Sequence, residues 1–542
     1  MPKTKIKQDR FYLIVLFGAM VVALLFYSYL PTSALFIFNS PDETANFFAT
    51  ESFNLYNSLG RQESLNNTVP GLIHPRSIVV RESYLLPVSF WGLPVIYGLA
   101  AKIIGLGFTP FIVPIFSACT ILLFYLLLKK IFGPEIAFWS SLGLAWLPPY
   151  LYFSNRGFFH NVLFFDLLVL ALVVITWRPV EALGKYVLAK KKWIYAFGDD
   201  IWSAVALGLA FWVRPAELIW FGPVLLAAAL VWRKQLKKKN AIVGLAVFSA
   251  FLIAFLIVNK NLYGAWLGSG YLLARGKDIV SGGAALLAGE SLLPFGLHPR
   301  LILGNIWHYF FGLWPALAWF YVIGAAFFAF RIYLHDLSRP EKFYFLSWLG
   351  TGAVLFAYYG SGVFNDSAEP GAVTPAISYF RYWLPIYAFG LPIALGWLLS
   401  ALKIFSDLVG KITMTAVLTV YALISVLLVF ETPGDGLTAV HREIISYRDI
   451  IARAEALIPP GSLIVVHKAD KIFFPQWPVA LFDDSDAFFD NIAKLRAVRP
   501  VYYFRPGPTP REQFDIRQKF AERNLSLKRL DIFGKNVLYE IK

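Results

Sequence analysis

Residues 11–30 read FYLIVLFGAMVVALLFYSYL, an uncharged run. It is preceded by Lys3, Lys5, Lys7 and Arg10 and followed, eight residues on, by Asn39-Ser40-Pro41-Asp42-Glu43. Twenty such residues make a helix of about 30 Å at about 1.5 Å per residue, the thickness of a bilayer's hydrocarbon core. The apolar core of a cleaved signal is shorter, so an uncleaved anchor is expected. The pattern recurs along the chain. Of 542 residues, 58% are hydrophobic and 15% charged, and the mean hydropathy is +0.60. No soluble domain of this length hides so much apolar surface. The sequence therefore predicts an α-helical polytopic membrane protein.

Topology turns on Pro87–Phe108, which is apolar but carries Pro87, Pro94 and Lys102. Placed in the outer interface, it leaves about eleven transmembrane helices, near 11–30, 110–128, 134–153, 161–177, 200–213, 217–232, 241–258, 308–330, 343–359, 382–400 and 412–430. With the N-terminus inside, the inner segments then hold 21 Lys and Arg, and the outer ones before the tail hold 11 in a much longer total length. This is the positive-inside bias. A spanning 87–108 would reverse every later loop and put Lys129-Lys130 and Lys237–Lys239 outside. The net charge of +15 is thus distributed as in a membrane protein, and nucleic acid is not an expected partner. Cys119 is the one cysteine, which excludes an intrachain disulfide.

Three long outer segments follow: 31–109, the glycine-rich 259–307, and the tail. The tail, 431–542, is rich in charge. Thr438–Ile458, Asp486–Arg496 and Pro510–Arg523 read as helices. Ser462–His467, Pro478–Phe482 and Pro500–Phe504 read as strands, and Leu527–Ile532 with Asn536–Ile541 as a hairpin around Gly534. The expected division is a transmembrane domain, 1–430, and a small extracytoplasmic α/β domain, 431–542.

Ser40-Pro41-Asp42-Glu43 is the sharpest local signal. Ser at the N-cap, Pro at the first helical position and Glu at the third make a helix start with a capping box. Asp42 then lies at a helix N-terminus, which favours its ionised form, and it can serve as a general base toward a hydroxyl. The two roles are compatible.

Asn39-Ser-Pro-Asp42-Glu43-Thr-Ala-Asn46 at the exit of the first span resembles the signature of the GT-C membrane glycosyltransferases that use polyprenyl-phosphate sugars. That group includes the aminoarabinose transferases of lipid A and the protein O-mannosyltransferases. The resemblance continues through Tyr84–Gly107, the turn Lys129-Lys130-Ile-Phe-Gly133 and the second outer turn, Ser154-Asn155-Arg156-Gly-Phe-Phe-His160-Asn161. It covers residues 10–180 well and the remaining membrane region in pattern. It implies that Asp42 is the catalytic carboxylate and Glu43 its acidic neighbour. The family often has another acid in the second outer turn. Here His160 or Asn161 stands there, a departure that weakens any metal or paired-carboxylate role. Asp166, inside a span, is the nearest acid and a functional candidate for that reason. No cofactor is fixed by the resemblance, and a divalent metal (Mg, Mn or Zn) is left open without assigned ligands. His74, His298 and His308 lack metal-ligand spacing.

A lipid-linked donor carries phosphate and calls for cations near the outer leaflet. Arg156 and Arg214 each lie in a short outer turn, Arg275 and Lys277 in the glycine-rich loop, Arg381 beside Tyr379 and Tyr382, and Arg81 in the first loop. For each, the plain alternative is an interfacial anchor. The loop 259–307 is expected to be mobile without donor and ordered over it.

The function implied is inverting transfer of a sugar from a polyprenyl-phosphate donor to a lipid, glycan or protein hydroxyl on the outer face of a prokaryotic plasma membrane. Membrane lipids are the other expected partners. Two alternatives compete. One is a transporter or flippase of lipid-linked solutes, against which no internal repeat is seen. The other is a non-catalytic subunit of the same fold.

Overall fold

The computed structural model describes residues 3–33, 36–179, 192–274, 293–367, 371–507 and 510–542. Among them, seven helices are long and apolar enough to cross a membrane: Gln8–Tyr27, Leu106–Phe132, His160–Trp177, Lys238–Tyr263, Pro315–Tyr333, Leu384–Leu402 and Asp407–Glu431. The other four expected spans are helical but depart from straight, wholly apolar rods. The segment 134–153 is split into Pro134–Ala145 and Pro148–Ser154. The segments 200–213 and 217–232 form a pair bent by 111°, which raises the number of spans to eight if it counts as one. The helix Arg339–Gly360 opens on a charged turn with a complete capping box from Ser338 and Glu341.

Proline explains the breaks. A residue before Pro is pushed out of the helical region, and Pro itself is well placed at the first helical position. Leu147 before Pro148 is extended, and Arg214 before Pro215 has φ −144° and ψ 80°. Each break falls at the residue this rule singles out. Gly92–Ile104 is a helix of 13 residues, about 20 Å long, short of the hydrocarbon thickness.

The chain forms two compact units. The first comprises Met1–Thr32, Pro110–Leu256 and Gly282–Ala439; the second comprises Ser33–Thr109, Ile257–Ser281 and Val440–Lys542. The first is a helical bundle with His160–Trp177 near its centre. Phe165 of that helix meets Phe124 and Phe389. Gly324 lets two helices close up, since a Cβ there would stand 2.8 Å from the Ile393 carbonyl oxygen. Small residues serve this purpose between helices in lipid. Asp166 is buried and accepts hydrogen bonds from Tyr150 Oη at 2.6 Å and Ser117 Oγ at 3.1 Å. Those partners offset the cost of an acid in so apolar a place.

The second unit contains two sheets. In the smaller, β1 (Arg61–Gln62), β2 (Ile78–Arg81) and β3 (Tyr84–Pro87) lie antiparallel in the order β1-β3-β2. The larger comprises β4 (Leu463–Val466), β5 (Val479–Leu481), β6 (Val501–Pro506), β7 (Leu527–Phe533) and β8 (Asn536–Ile541), in the order β5-β4-β6-β8-β7. The expected tail strands and hairpin match these within a few residues. Both faces of the larger sheet are buried, so β4 reads as a continuous apolar run. Ile464 and Val466 pack with Phe48, Ile78 and Leu85 on one face. Leu463 and Val465 pack with Leu65, Val69 and Ile73 on the other. Residues of 33–109 thus supply core on both sides of a sheet built from the tail.

Candidate functional site

In the second unit the site is built around Asp42. Ser40 N-caps the helix Pro41–Tyr56, with Pro41 at its first position. Its Oγ accepts from the Asp42 amide at 3.3 Å, one position earlier than a capping box uses. Glu43 is buried, and Asp42 is half-buried. Ser77 Oγ donates to Asp42 Oδ1 at 2.7 Å, which orients the carboxylate. Ser77 has φ +60°, an unusual angle for a residue other than glycine.

Two neighbouring residues of the tail hold this arrangement. Asp470 is fully buried and accepts from the Arg76 amide at 2.9 Å, Nε at 2.8 Å and Nη2 at 2.6 Å. That fixes the residue before Ser77. Lys471 Nζ donates to the Asn39 carbonyl at 2.7 Å and to its Oδ1 at 2.6 Å, fixing the residue before the cap. Arg81 donates to the carbonyls of Asn261 and Leu262 at 3.1 and 3.0 Å. It therefore caps the end of the helix Lys238–Tyr263, a favoured use of a cation at a helix C-terminus.

The first unit gathers three of the arginines singled out from sequence. All three are buried, as are His160 and Asn161. The Arg156 and Arg381 guanidinium groups stand 5.0 and 4.4 Å from the centroid of Phe159. Arg381 and Arg214 each stand 5.2 Å from the centroid of Tyr382. The result is a ladder in which arginines alternate with rings, an arrangement that cation–π attraction supports. Asn161 Nδ2 donates to the Arg381 carbonyl at 3.0 Å, joining the second turn to the helix Ser378–Tyr382. Arg156 also donates to Tyr152 Oη at 3.1 Å.

Arg214 is paired with an acid three residues on. Its Nη2 stands 2.7 Å from Glu217 Oε1, and it donates to Tyr359 Oη at the same distance. Trp220 Nε1 donates to the other Glu217 oxygen at 2.5 Å. A buried ion pair with its remaining donors satisfied is a brace as much as an anion site. Counting cations alone missed Glu217, although it lies only three residues away. The Asp470–Arg76 pair had no signal in the sequence.

Arg275 and Lys277, with residues 275–292 of the glycine-rich loop on which the expectation of a mobile cover falls, lie outside the described residues. Among the described residues no three His, Cys, Asp or Glu side chains group as metal ligands would.

No family model matches the sequence, and no curated protein matches it. Solved structures do match in fold. The archaeal oligosaccharyltransferase AglB from Archaeoglobus fulgidus, in complex with an inhibitory peptide and a dolichol-phosphate, aligns with a TM-score of 0.52 at 14% identity. That match covers 90% of this chain and 69% of the other. ArnT from Cupriavidus metallidurans in the apo state aligns with a TM-score of 0.51 at 13% identity, over 97% of both chains. The same protein bound to undecaprenyl phosphate gives 0.50 at 13% identity, again over 97% of both. Both neighbours are GT-C glycosyltransferases, and at these identities what is shared is the architecture: the chain has the GT-C fold of membrane glycosyltransferases.

Proposed function

We propose that the protein is an inverting glycosyltransferase that moves a sugar from a polyprenyl-phosphate donor to an acceptor hydroxyl on the outer face of a prokaryotic plasma membrane. One observation carries this reading: in a chain of this fold, a half-buried carboxylate, Asp42, is oriented by Ser77 at a helix N-terminus. The dolichol-phosphate and undecaprenyl phosphate named with the two neighbours are both isoprenoid phosphates, the donor chemistry proposed here.

In the proposed reaction, Asp42 takes the proton of the acceptor hydroxyl as its oxygen attacks the anomeric carbon. The bond from that carbon to the phosphate oxygen breaks on the opposite side, and configuration inverts. The leaving phosphate is a weak base, so it needs positive charge rather than a proton. Arg156 and Arg381 would supply that charge, with Arg214 bracing the ladder. Glu43, Arg81, His160 and Asn161 take supporting places in this scheme.

The test is Asp42→Asn in the full-length protein, reconstituted with a polyprenyl-phosphate sugar and a membrane extract as acceptor source. Release of polyprenyl phosphate should fall by at least about a hundredfold, with binding of undecaprenyl phosphate retained. Turnover equal to wild type would overturn the assignment.

A further inference from the structure

A cavity lies in the first unit, and none of the ladder arginines lines it. It has a volume of about 670 Å³ and is bounded by residues of the helices His160–Trp177, Lys192–Val213, Leu218–Val231 and Lys238–Tyr263. That volume is within the range of about 300–1,000 Å³ common for small-molecule sites. Its walls are mostly apolar, with Phe221 and Phe248 among them, and its mouth is polar, with Arg178, Asp200, Lys237 and Asn240. The helix whose first residue is His160 ends beside this mouth, 18 residues on. That is about 27 Å along its axis. The cavity therefore opens near the opposite membrane surface from Arg156.

The polar mouth is ordered. Asp200 accepts from Arg178 Nη2 at 2.8 Å and from Asn240 Nδ2 at 2.5 Å, so its charge is answered within the protein. Beside it runs Arg233-Lys234-Gln-Leu-Lys237-Lys238-Lys239, with no Asp or Glu between Glu217 and Asp278. Lys237, Lys238 and Lys239 are exposed. One flank of the cavity belongs to the helix Lys238–Tyr263, of whose apolar window only 6% is buried. A cavity with an apolar interior, a bilayer-facing flank and a rim of surplus positive charge fits a molecule with an acyl chain and an anionic head.

We propose that this cavity binds an anionic glycerophospholipid of the leaflet at that end. Its acyl chain lies against Phe221 and Phe248, and its phosphate meets Lys237 beside the Arg178–Asp200 pair. This assignment rests on the membrane reading of the chain and is independent of the proposed sugar transfer.

The full-length protein is reconstituted into phosphatidylethanolamine vesicles containing phosphatidylglycerol with a diazirine on its acyl chain. Photolysis should label peptides within 171–248. Gly244→Phe puts a ring into the cavity and should sharply reduce the label. Gly244→Ala, whose methyl meets the Asp200 carbonyl oxygen at an ordinary 3.7 Å, should keep it. Lys237→Gln should lower the preference for phosphatidylglycerol over a matched phosphatidylethanolamine probe about fivefold. Equal labelling by both probes in wild type would overturn the proposal. So would competition by inorganic phosphate, which would mark a free-anion site. Should Gly244→Phe fail to fold, the wild-type map decides: labels outside 171–248, or crosslinks to the protein's own residues in place of lipid, sink the idea.

Discussion

Arg156 and Arg381 share one aromatic ring, that of Phe159, from whose centroid their guanidinium groups stand 5.0 and 4.4 Å. The two cations are therefore no more than about 10 Å apart. At an effective dielectric of about 20, their repulsion is roughly 2 kcal/mol or more. A phosphate that reached both at the edge of the ring would relieve that repulsion, and each guanidinium can offer two parallel donors.

Arg156→Gln and Arg381→Gln should each weaken use of the lipid donor by about 10–100-fold. Steady-state kinetics at varied donor concentration would show this as a raised KM. Wild-type donor dependence in both variants would place the phosphate elsewhere, with Arg275 and Lys277 next in line.

Ser77→Ala removes the donor to Asp42 Oδ1 without altering the backbone requirement at that position, because Ser and Ala meet the same steric conflict at φ +60°. The loss of about 1 kcal/mol of orientation should appear as a roughly fivefold lower kcat, with donor KM little changed. A large KM effect instead would tie Ser77 to donor binding.

Arg76→Met leaves Asp470 buried with its charge unanswered by the guanidinium. Removing one partner of such a pair costs about 3 kcal/mol. Hydrogen exchange should accelerate across 70–81 and 463–482 together, since both segments depend on this contact. Acceleration confined to 70–81 would show that the tail holds its shape alone.

His467 supplies a pH dependence. Burial and the nearby Arg505 lower its pKa, and Glu512 opposes them. The imidazole is also hydrogen-bonded to Tyr503 Oη at 2.8 Å. The unfolded chain then binds the proton more readily than the folded one. Stability from this group is complete above the unfolded value of about 6.5 and is lost as pH falls through the lower folded value. Protection factors in β4 and β6, which correct for the intrinsic exchange rate at each pH, should be lower at acid pH than at neutral pH. His467→Gln should flatten that difference.

Much of this architecture is readable from local pattern. Apolar run length marks the spans, and short apolar runs bounded by prolines and glycine mark β4 and β6. Ser40-Pro41-Asp42 marks a helix start. The breaks at Leu147 and Arg214 were readable too, since each precedes a proline. The three-stranded sheet in the first loop was harder to see. Its strands are two to four residues long, too short for a periodicity to register. The ladder was foreseen as a set of cations but not as a ladder, because the ring between Arg156 and Arg381 matters only once the fold brings residues 159 and 381 together. The support of Asp42 by Asp470 and Lys471 left no trace at all, because those contacts span the length of the chain.

That span bears on how the protein is made. Arg76 and Asp470 are 394 residues apart. At about 10–20 residues per second, a ribosome needs on the order of half a minute to produce the second after the first. Throughout that interval the segment carrying Asp42 lacks both of the anchors that fix it. The seating of Asp42 would thus wait until residues 470 and 471 have been made. A nascent chain stalled after residue 430 could be fully inserted yet have no properly seated carboxylate with which to act on the lipids around it.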